Sequence, residues 1–407
     1  MKNIYILDEH ISSQKNGIGT FLRQLIDCCK KWSNIYLLRF NANVKEFTLS
    51  TSEHGVKQML FPAFQNGSFV QNGRIVLFFL NMYIKDSIDN LFFVNHSPCS
   101  DLLSRIKSNF PLSKIVFCIH DMGWTFRLLG DCNRYRRIVQ NKDKEAIQMK
   151  HSALLNIYAE EKRMYDLADK VLCLSEDTLE LLRTLYMLDE KKVCYIPNGL
   201  KDCKRNKVDC SYLRKSMFVE EQEQILLFVG RVTESKGVIV LVEAFKKVLL
   251  SCPCARLVIA GNVNFVELEK LLKCSSSIAP RVTVTGLLDK DSLYKWYSIA
   301  QVGVIPSYYE QCSYVGIEML MYGLPIVAVN NYGVRNMFHD GINAKMISAG
   351  RQKRKNYLID KLAAAIVSLL KSDSERKILA EKARNYYENH YQVQRMEKEY
   401  KFFIESL

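Results

Sequence analysis

Short apolar runs alternate with longer stretches in which apolar positions recur every three or four residues, and the alternation persists along most of the chain. A strand buried on both faces of a parallel sheet reads as a near-continuous apolar run, whereas a helix with one buried face keeps a 3.6-residue period. Ile4-Tyr-Ile-Leu7 therefore predicts a first buried strand. A loop containing Gly17 and Gly19 follows, then an amphipathic helix over about 20–32. Further strands are predicted at Ile35–Leu38, Gln58–Phe61, Leu91–Val94 and Ile115–Ile119, and helical patterns flank Val171–Leu174. Val193–Gly199 reads as a closing strand with a turn. The polar, charged stretch Lys201–Gln224 predicts a linker between domains. A second alternation begins beyond it, with strands at Ile225–Val229, Arg256–Ala260, Val282–Val284, Val302–Ile305 and Pro325–Val329. From about 357 the pattern is helical to the last residue, and no internal repeat interrupts it. Strands alternating with helices predict an α/β fold of βα units on parallel sheets, here in two Rossmann-like domains.

Length supports the division, because 407 residues exceed what one hydrophobic core usually holds. At 48% hydrophobic and 25% charged residues, the composition is that of an ordinary folded protein. The charge is less ordinary. A formal net charge of +14 suits an anionic partner: a nucleotide diphosphate, an acidic membrane surface or a nucleic acid. The basic runs Arg351-Gln-Lys-Arg-Lys355 and Arg134-Tyr-Arg-Arg137 are the places where an anionic bilayer would be met. Thirteen cysteines carry no metal-type spacing, and Cys28-Cys29 and Cys252-Pro-Cys254 are the close pairs, which reads as free thiols in a reducing compartment. The N-terminus has no signal-peptide layout, and the apolar stretch Ile75–Ile84 is too short to span a bilayer. The expected location is cytoplasmic, with peripheral attachment to the inner face of a membrane left open.

In open parallel sheets, ligands bind beyond the carboxyl ends of the strands, so the residues just after each apolar run are the candidates. Gly230-Arg231 closes one strand and Lys236-Gly237 opens the next helix, so the two cations can converge on a diphosphate. Glu310 follows the strand that ends near Pro306, and Glu318 falls about two turns into the following helix. A helix starting near Ser313 would aim the amides of Cys312, Ser313, Tyr314 and Val315 at an anion, while the two carboxylates grip hydroxyls. His120-Asp121 follows Ile115–Ile119 directly, and Asn95-His96-Ser97 holds a similar place after its own strand. Asn16-Gly-Ile-Gly19 lacks the GxGxxG pattern and fits a loop with amides aimed into a cleft better than a dinucleotide fingerprint. Taken singly, each feature has an ordinary alternative: a surface ion pair, two solvated helix charges, a structural histidine. None of the His, Cys, Asp or Glu groups has metal-ligand spacing.

Taken in order, these features resemble the retaining glycosyltransferase family 4 of the GT-B fold, most closely from Ile225 to Asn343. Gly230-Arg231, Lys236-Gly237, Ala260-Gly261, Thr285-Gly286, Glu310 with Glu318, and Gly323-Leu-Pro325 carry the resemblance. In the first half it is carried by Gly17–Gly19, His120-Asp121, Ala168-Asp169 before Ser175, and Ile196-Pro-Asn-Gly199. The resemblance implies an acceptor-binding domain over 1–200, a nucleotide-sugar-binding domain over 201–390, and a final helix over 391–407 that crosses back to the first. The two domains would face each other across a cleft. Arg231 and Lys236 would neutralise the donor diphosphate, Glu318 would bind ribose, and Glu310 with the amides of Cys312 to Val315 would hold the transferred sugar. His120 would contact that sugar near the reacting face. The loop of Asn16, Gly17 and Gly19 would close on phosphate and acceptor, with Asp121 and His96 on the acceptor side. The reaction would retain the anomeric configuration and need neither metal nor cofactor. The implied partners are a nucleotide sugar and a sugar, lipid-linked, peptide or small-molecule acceptor, with no nucleic acid.

The chain departs from the family pattern in three places. Gln311-Cys-Ser-Tyr314 stands where Gly or Pro, an aromatic and Gly are usual, Gly333-Val-Arg-Asn336 lacks the Glu often found there, and Asn16 stands where a first Gly is common. Two other readings suit the same fold: a nucleotide-sugar epimerase, for which no acid–base set near a sugar C2 is evident, and a non-catalytic nucleotide-sugar binder.

Overall fold

The structure is a computed structural model that describes residues 1–9, 17–52, 55–63, 69–95, 99–204, 209–348 and 355–407. The chain divides into two compact units, Met1–Gly199 with Val393–Leu407, and Leu200–Gln392.

The first unit is built on an eight-stranded sheet. In chain order its strands are β1 (Asn3–Glu9), β2 (Asn34–Ala42), β3 (Thr48–Thr51), β4 (Lys57–Pro62), β5 (Asn90–Val94), β6 (Lys114–Ile119), β7 (Lys170–Cys173) and β8 (Val193–Tyr195). The spatial order is β3-β4-β2-β1-β5-β6-β7-β8, parallel throughout except where β3 runs antiparallel to β4. From β1 the chain builds outward through β2 and β4, then returns to the other side of β1 with β5. The topological switch point therefore lies between β1 and β5, the place where such sheets open a crevice. β5 is buried at every position, as a central parallel strand should be.

Between the strands, α1 (Gly17–Cys29) buries Phe21, Leu22, Leu25 and Ile26 against the sheet. Gly17 and Gly19 thus lie in the first turn of this helix and not in the expected loop, because the i, i+3, i+4 apolar pattern of α1 extends back to them. The helices that bear on the site are α2 (Gly123–Leu128), α3 (Cys132–Gln140), α4 (Glu145–Leu167) and α5 (Glu176–Thr184). The apolar stretch Ile75–Ile84 falls largely in a helix, Phe69–Tyr83, of which Ile75, Phe78 and Met82 are exposed. Among the described residues no helix is long and apolar enough to cross a membrane.

The second unit carries a six-stranded, wholly parallel sheet, ordered β11-β10-β9-β12-β13-β14. Its strands are β9 (Gln224–Val229), β10 (Ala255–Ala260), β11 (Val282–Gly286), β12 (Val302–Ile305), β13 (Ile326–Asn330) and β14 (Lys345–Ser348). The switch point here lies between β9 and β12. The polar stretch expected as a linker belongs to this unit. Two of its acidic residues have partners here: Asp209 caps α6 (Cys210–Ser216) by accepting from Tyr212 N at 3.0 Å, and Asp202 pairs with Arg384.

The core of the second unit joins β9, β10, β12 and β13 to α7 (Val238–Ser251) and α10 (Lys355–Lys371). α7 reads Val-Ile-Val-Leu-Val at its start, a sequence with β-propensity, yet it is helical because both its faces find apolar partners. Tyr387 Oη donates to Leu200 O at 2.8 Å, which ties the start of this unit to α11 (Asp373–His390) near its end. The last helix, α12 (Val393–Glu405), packs in the first unit on α1. Lys31 pairs with Glu397 at 2.7 Å, and Phe21 meets Tyr400 with ring centroids 6.2 Å apart.

Candidate functional site

Three glycines close adjacent strands in the second unit: Gly230 after β9, Gly261 after β10 and Gly286 at the end of β11. Gly230 N donates to Ala260 O and Gly261 N to Gly286 O, each at 2.9 Å. A Cβ on Gly261 would lie 1.9 Å from Gly230 O, so the backbones approach more closely than any side chain permits. This edge stands over the carboxyl ends of the strands, where a ligand can reach bare main chain.

Arg231 follows Gly230 and is exposed. A turn of 3-10 helix, Glu234–Lys236, then delivers Lys236, and Gly237 at φ +70° opens α7. Gly237 packs against the end of β12, where a Cβ would meet Pro306 O at 2.3 Å. The loops after β9 and β12 are thereby locked together across the switch point. Tyr308 N donates to Ser235 O at 2.9 Å, and Lys236 Nζ pairs with Glu310 Oε1 at 2.6 Å, both side chains mostly buried. Glu310 is held in turn by its backbone, since its N donates to Tyr332 O at 3.0 Å and a Cβ on Gly333 would lie 1.7 Å from Glu310 O.

The helix after Glu310 is α8 (Tyr314–Tyr322), and α9 (Val334–Met337) lies behind it. Ser313 is the N-cap of α8 and accepts from Gly316 N at 3.3 Å. Ser313 N itself meets Met337 Sδ at 3.0 Å, so one of the four amides expected to face an anion already has a protein partner. Cys312 and Tyr314 are buried and Val315 is half-buried.

Glu318 lies on α8 at 1% exposure. It is not a solvated helix charge. Tyr297 Oη donates to its Oε2 at 3.0 Å, and the Lys290 ammonium binds its Oε1. Burial, with the Glu318 carboxylate beside it, pushes the Tyr297 hydroxyl well above its ordinary range. Tyr294 and Tyr322 complete an aromatic wall, with ring centroids 5.5 Å apart and each near Tyr297. Sequence reasoning missed Lys290 and Tyr297. The signal was available for Lys290, which opens a helix just beyond the carboxyl end of β11, the same strand-end position that singled out the others.

In the first unit, three strand ends are strung together by hydrogen bonds. His120 Nε2 lies 2.8 Å from Asn95 Oδ1, and Asn95 Nδ2 donates to Asp8 Oδ1 at 2.9 Å. β6, β5 and β1 each supply one member, on both sides of the switch point. Asp8 and Asn95 are fully buried and His120 is half-buried, its ring edge-on to Phe21 at 4.6 Å. Sequence reasoning gave Asn95 only as the neighbour of His96 and missed Asp8, whose buried place inside a strand leaves no mark in the pattern. Asp121 acts close to home. Its Oδ1 accepts from Met122 N at 2.9 Å and from Thr125 Oγ1 at 2.7 Å, which pins the turn that leads into α2. Asn16 and His96 lie outside the described residues, as do 351–354 of the basic run that ends at Lys355. In the other basic cluster Arg136 binds Glu180 and Thr184, while Arg134 and Arg137 are exposed. Among the described residues no three His, Cys, Asp or Glu side chains gather to hold a metal ion.

Comparison with known proteins places these features in context. Residues 212–386 match the family described as "Glycosyl transferases group 1". The chain is 30% identical over 178 residues to an uncharacterized glycosyltransferase of Methanocaldococcus jannaschii, an overlap of 43% of this chain and 45% of that protein. It thus spans about half the length of that curated relative. A sucrose-phosphate synthase from Thermosynechococcus elongatus superposes with a TM-score of 0.77 at 17% identity, over 100% of this chain and 99% of that one. HepE of Anabaena in complex with UDP gives a TM-score of 0.73 at 17% identity, over 100% of both chains. The fold is GT-B, as the strand pattern and the motif order led one to expect.

Proposed function

We propose, from the match of residues 212–386 to the group 1 glycosyl transferases, that this chain moves a sugar from a nucleoside-diphosphate donor to an acceptor hydroxyl, with retention of configuration and without a metal ion. The observation that carries this reading is the Lys236–Glu310 pair at the β9/β12 switch point, beside exposed Arg231 and the capped start of α8. A cation, a carboxylate and a helix N-terminus meet there, which suits a phosphate on one side and sugar hydroxyls on the other.

In this reading Arg231 and Lys236 face the diphosphate, whose negative charge grows as the glycosidic bond breaks. Contacts that strengthen as charge develops lower the barrier, and they supply the positive charge that a metal would otherwise bring. Glu310 takes hydroxyls of the sugar and, through its pair, holds Lys236 in place. Glu318 takes the ribose hydroxyls, for which Lys290 must yield one carboxylate oxygen. His120, held by Asn95, contacts the transferred sugar. Departure of the diphosphate and attack by the acceptor occur on the same face of an oxocarbenium-like carbon, and the leaving phosphate takes the acceptor's proton. The HepE complex with UDP supports a nucleoside diphosphate as the class of donor. The acceptor is a sugar, a lipid-linked glycan, a peptide or a small molecule.

The division of roles is tested by calorimetric titration with nucleoside diphosphate alongside turnover. Glu318→Gln is expected to weaken nucleoside-diphosphate binding, because an amide replaces one acceptor with a donor against two hydroxyls. Glu310→Gln is expected to leave that binding nearly intact and to impair transfer. Equal weakening in both variants contradicts the division.

A further inference from the structure

Beneath the turn that carries His120, the first unit buries a carboxyl that no part of the proposed chemistry uses. Glu161 lies on α4 and is 8% exposed. Its Oε1 accepts from Gly123 N at 2.7 Å, and its Oε2 accepts from the Tyr186 hydroxyl. Tyr186 Oη lies 2.9 Å from Tyr135 Oη. The groups facing Glu161 are Tyr186 beyond α5, Tyr135 on α3 and Asp121 on the turn itself, with Tyr158 and Tyr165 of α4 ringed around Tyr186. No ion pair is formed between Glu161 and any described Lys, Arg or His. A buried carboxyl without a cation is costly, so each of its hydrogen bonds counts.

The turn it touches is fitted closely to α4. Gly123 begins α2, and its amide is one of those a helix start leaves without a helical acceptor. Asp121 satisfies Met122 N, and Glu161 satisfies Gly123 N. A Cβ on Gly123 would come within 2.9 Å of Ile157 Cγ2, one turn before Glu161 on the same helix face. Trp124, fully buried, stacks on Tyr135 with centroids 4.7 Å apart and planes 10° apart. The turn is thus held by α3 through the Trp124 ring and by α4 through the Gly123 amide.

We propose that Glu161 is a positioning residue that clamps the turn bearing His120 and Asp121 onto α4 through the Gly123 amide, so that His120 is presented from β6 in one orientation. Its catalytic consequence rests on His120 meeting the sugar, as proposed above; the clamp itself does not. The clamp needs an acceptor, not a charge. With a proton on Oε2, Glu161 donates to Tyr186 Oη, Tyr186 turns its own proton to Tyr135 Oη, and Oε1 still accepts from Gly123. A glutamine makes the same two contacts: its oxygen accepts from Gly123 and its amide donates to Tyr186. A leucine fills similar space and makes neither.

The test compares the full-length wild type with E161Q and E161L by hydrogen exchange over residues 117–126 and by steady-state turnover of a nucleotide sugar. E161L is expected to speed exchange at the Gly123 amide by about tenfold or more while β5 and β7 keep their protection. Its kcat is expected to fall by about tenfold to a hundredfold with KM for the nucleotide sugar little changed, the pattern of a misplaced group. E161Q is expected to restore both exchange and kcat to near the wild-type values. Unchanged protection of Gly123 in folded E161L would overturn the proposal. So would faster exchange at Gly123 in E161Q, a result that decides even if E161L does not fold. If the wild type turns over no nucleotide sugar, the functional reading fails, and hydrogen exchange still settles whether Glu161 holds the turn.

Discussion

Glu318 and Glu161 are both buried carboxylates, and their surroundings set them apart. Glu318 has an ammonium and a phenol as partners, whereas Glu161 has an amide and a phenol and no cation. Burial pushes Glu161 up to about 7 from an ordinary value of 4.5, against the opposing pull of its two donors. The folded state therefore holds this proton more tightly than the unfolded chain. The stability this group contributes is complete below about pH 4.5 and is lost as pH rises through about 7. Urea titrations across that range should show wild-type stability falling with pH relative to E161Q, whose side chain has no proton to lose. Parallel curves for the two proteins would show that Glu161 titrates normally. At this scale the sequence revealed residues that follow strands, among them Arg231, Lys236, Glu310 and His120. It hid Asp8, Tyr297 and Glu161, because a polar residue inside a strand or on a buried helix face looks the same in the pattern whether or not it meets a partner from another element.

The strand ends are where elements and site become one subject. Gly230, Gly261 and Gly286 have positive φ of +146°, +150° and +71°, but they do not carry equal burdens. Alanine at Gly261 collides with backbone, 1.9 Å from Gly230 O, whereas alanine at Gly286 meets nothing within 4 Å. Gly261→Ala is therefore expected to cost more than about 2 kcal/mol, since backbone must move to admit it. Gly286→Ala should cost only the local strain of a left-handed residue, about 1 kcal/mol. Denaturant unfolding of the two variants checks this, and equal losses would contradict the close approach of β9 and β10. The long buried strands were legible because parallel sheets make continuous apolar runs. β3 and β14 were not, being four-residue edge strands with mixed burial and no run to read. Gly17 and Gly19 were misplaced for a related reason: glycine signals a turn locally, and here the apolar stripe of α1 overrides it.

For the molecule as a whole, two units with separate cores and separate switch points were legible from the two alternations, and the order of motifs identified the fold. What the chain acts on was not, since donor and acceptor are read by a few groups whose partners come from distant parts of the sequence. If Arg231, Lys236 and the start of α8 supply the positive charge for the leaving diphosphate, turnover should persist in EDTA. Loss of activity restored by Mg²⁺ or Mn²⁺ would show that they do not. The most direct test of the central claim follows release of nucleoside diphosphate from a panel of nucleotide sugars by the wild type and by Lys236→Ala. The account predicts that one donor class yields free nucleoside diphosphate, by transfer or slow hydrolysis, and that Lys236→Ala lowers the rate on the order of a hundredfold, as loss of one contact to developing charge does. No release from any donor, a donor isomerised with its diphosphate intact, or normal turnover by Lys236→Ala would contradict it.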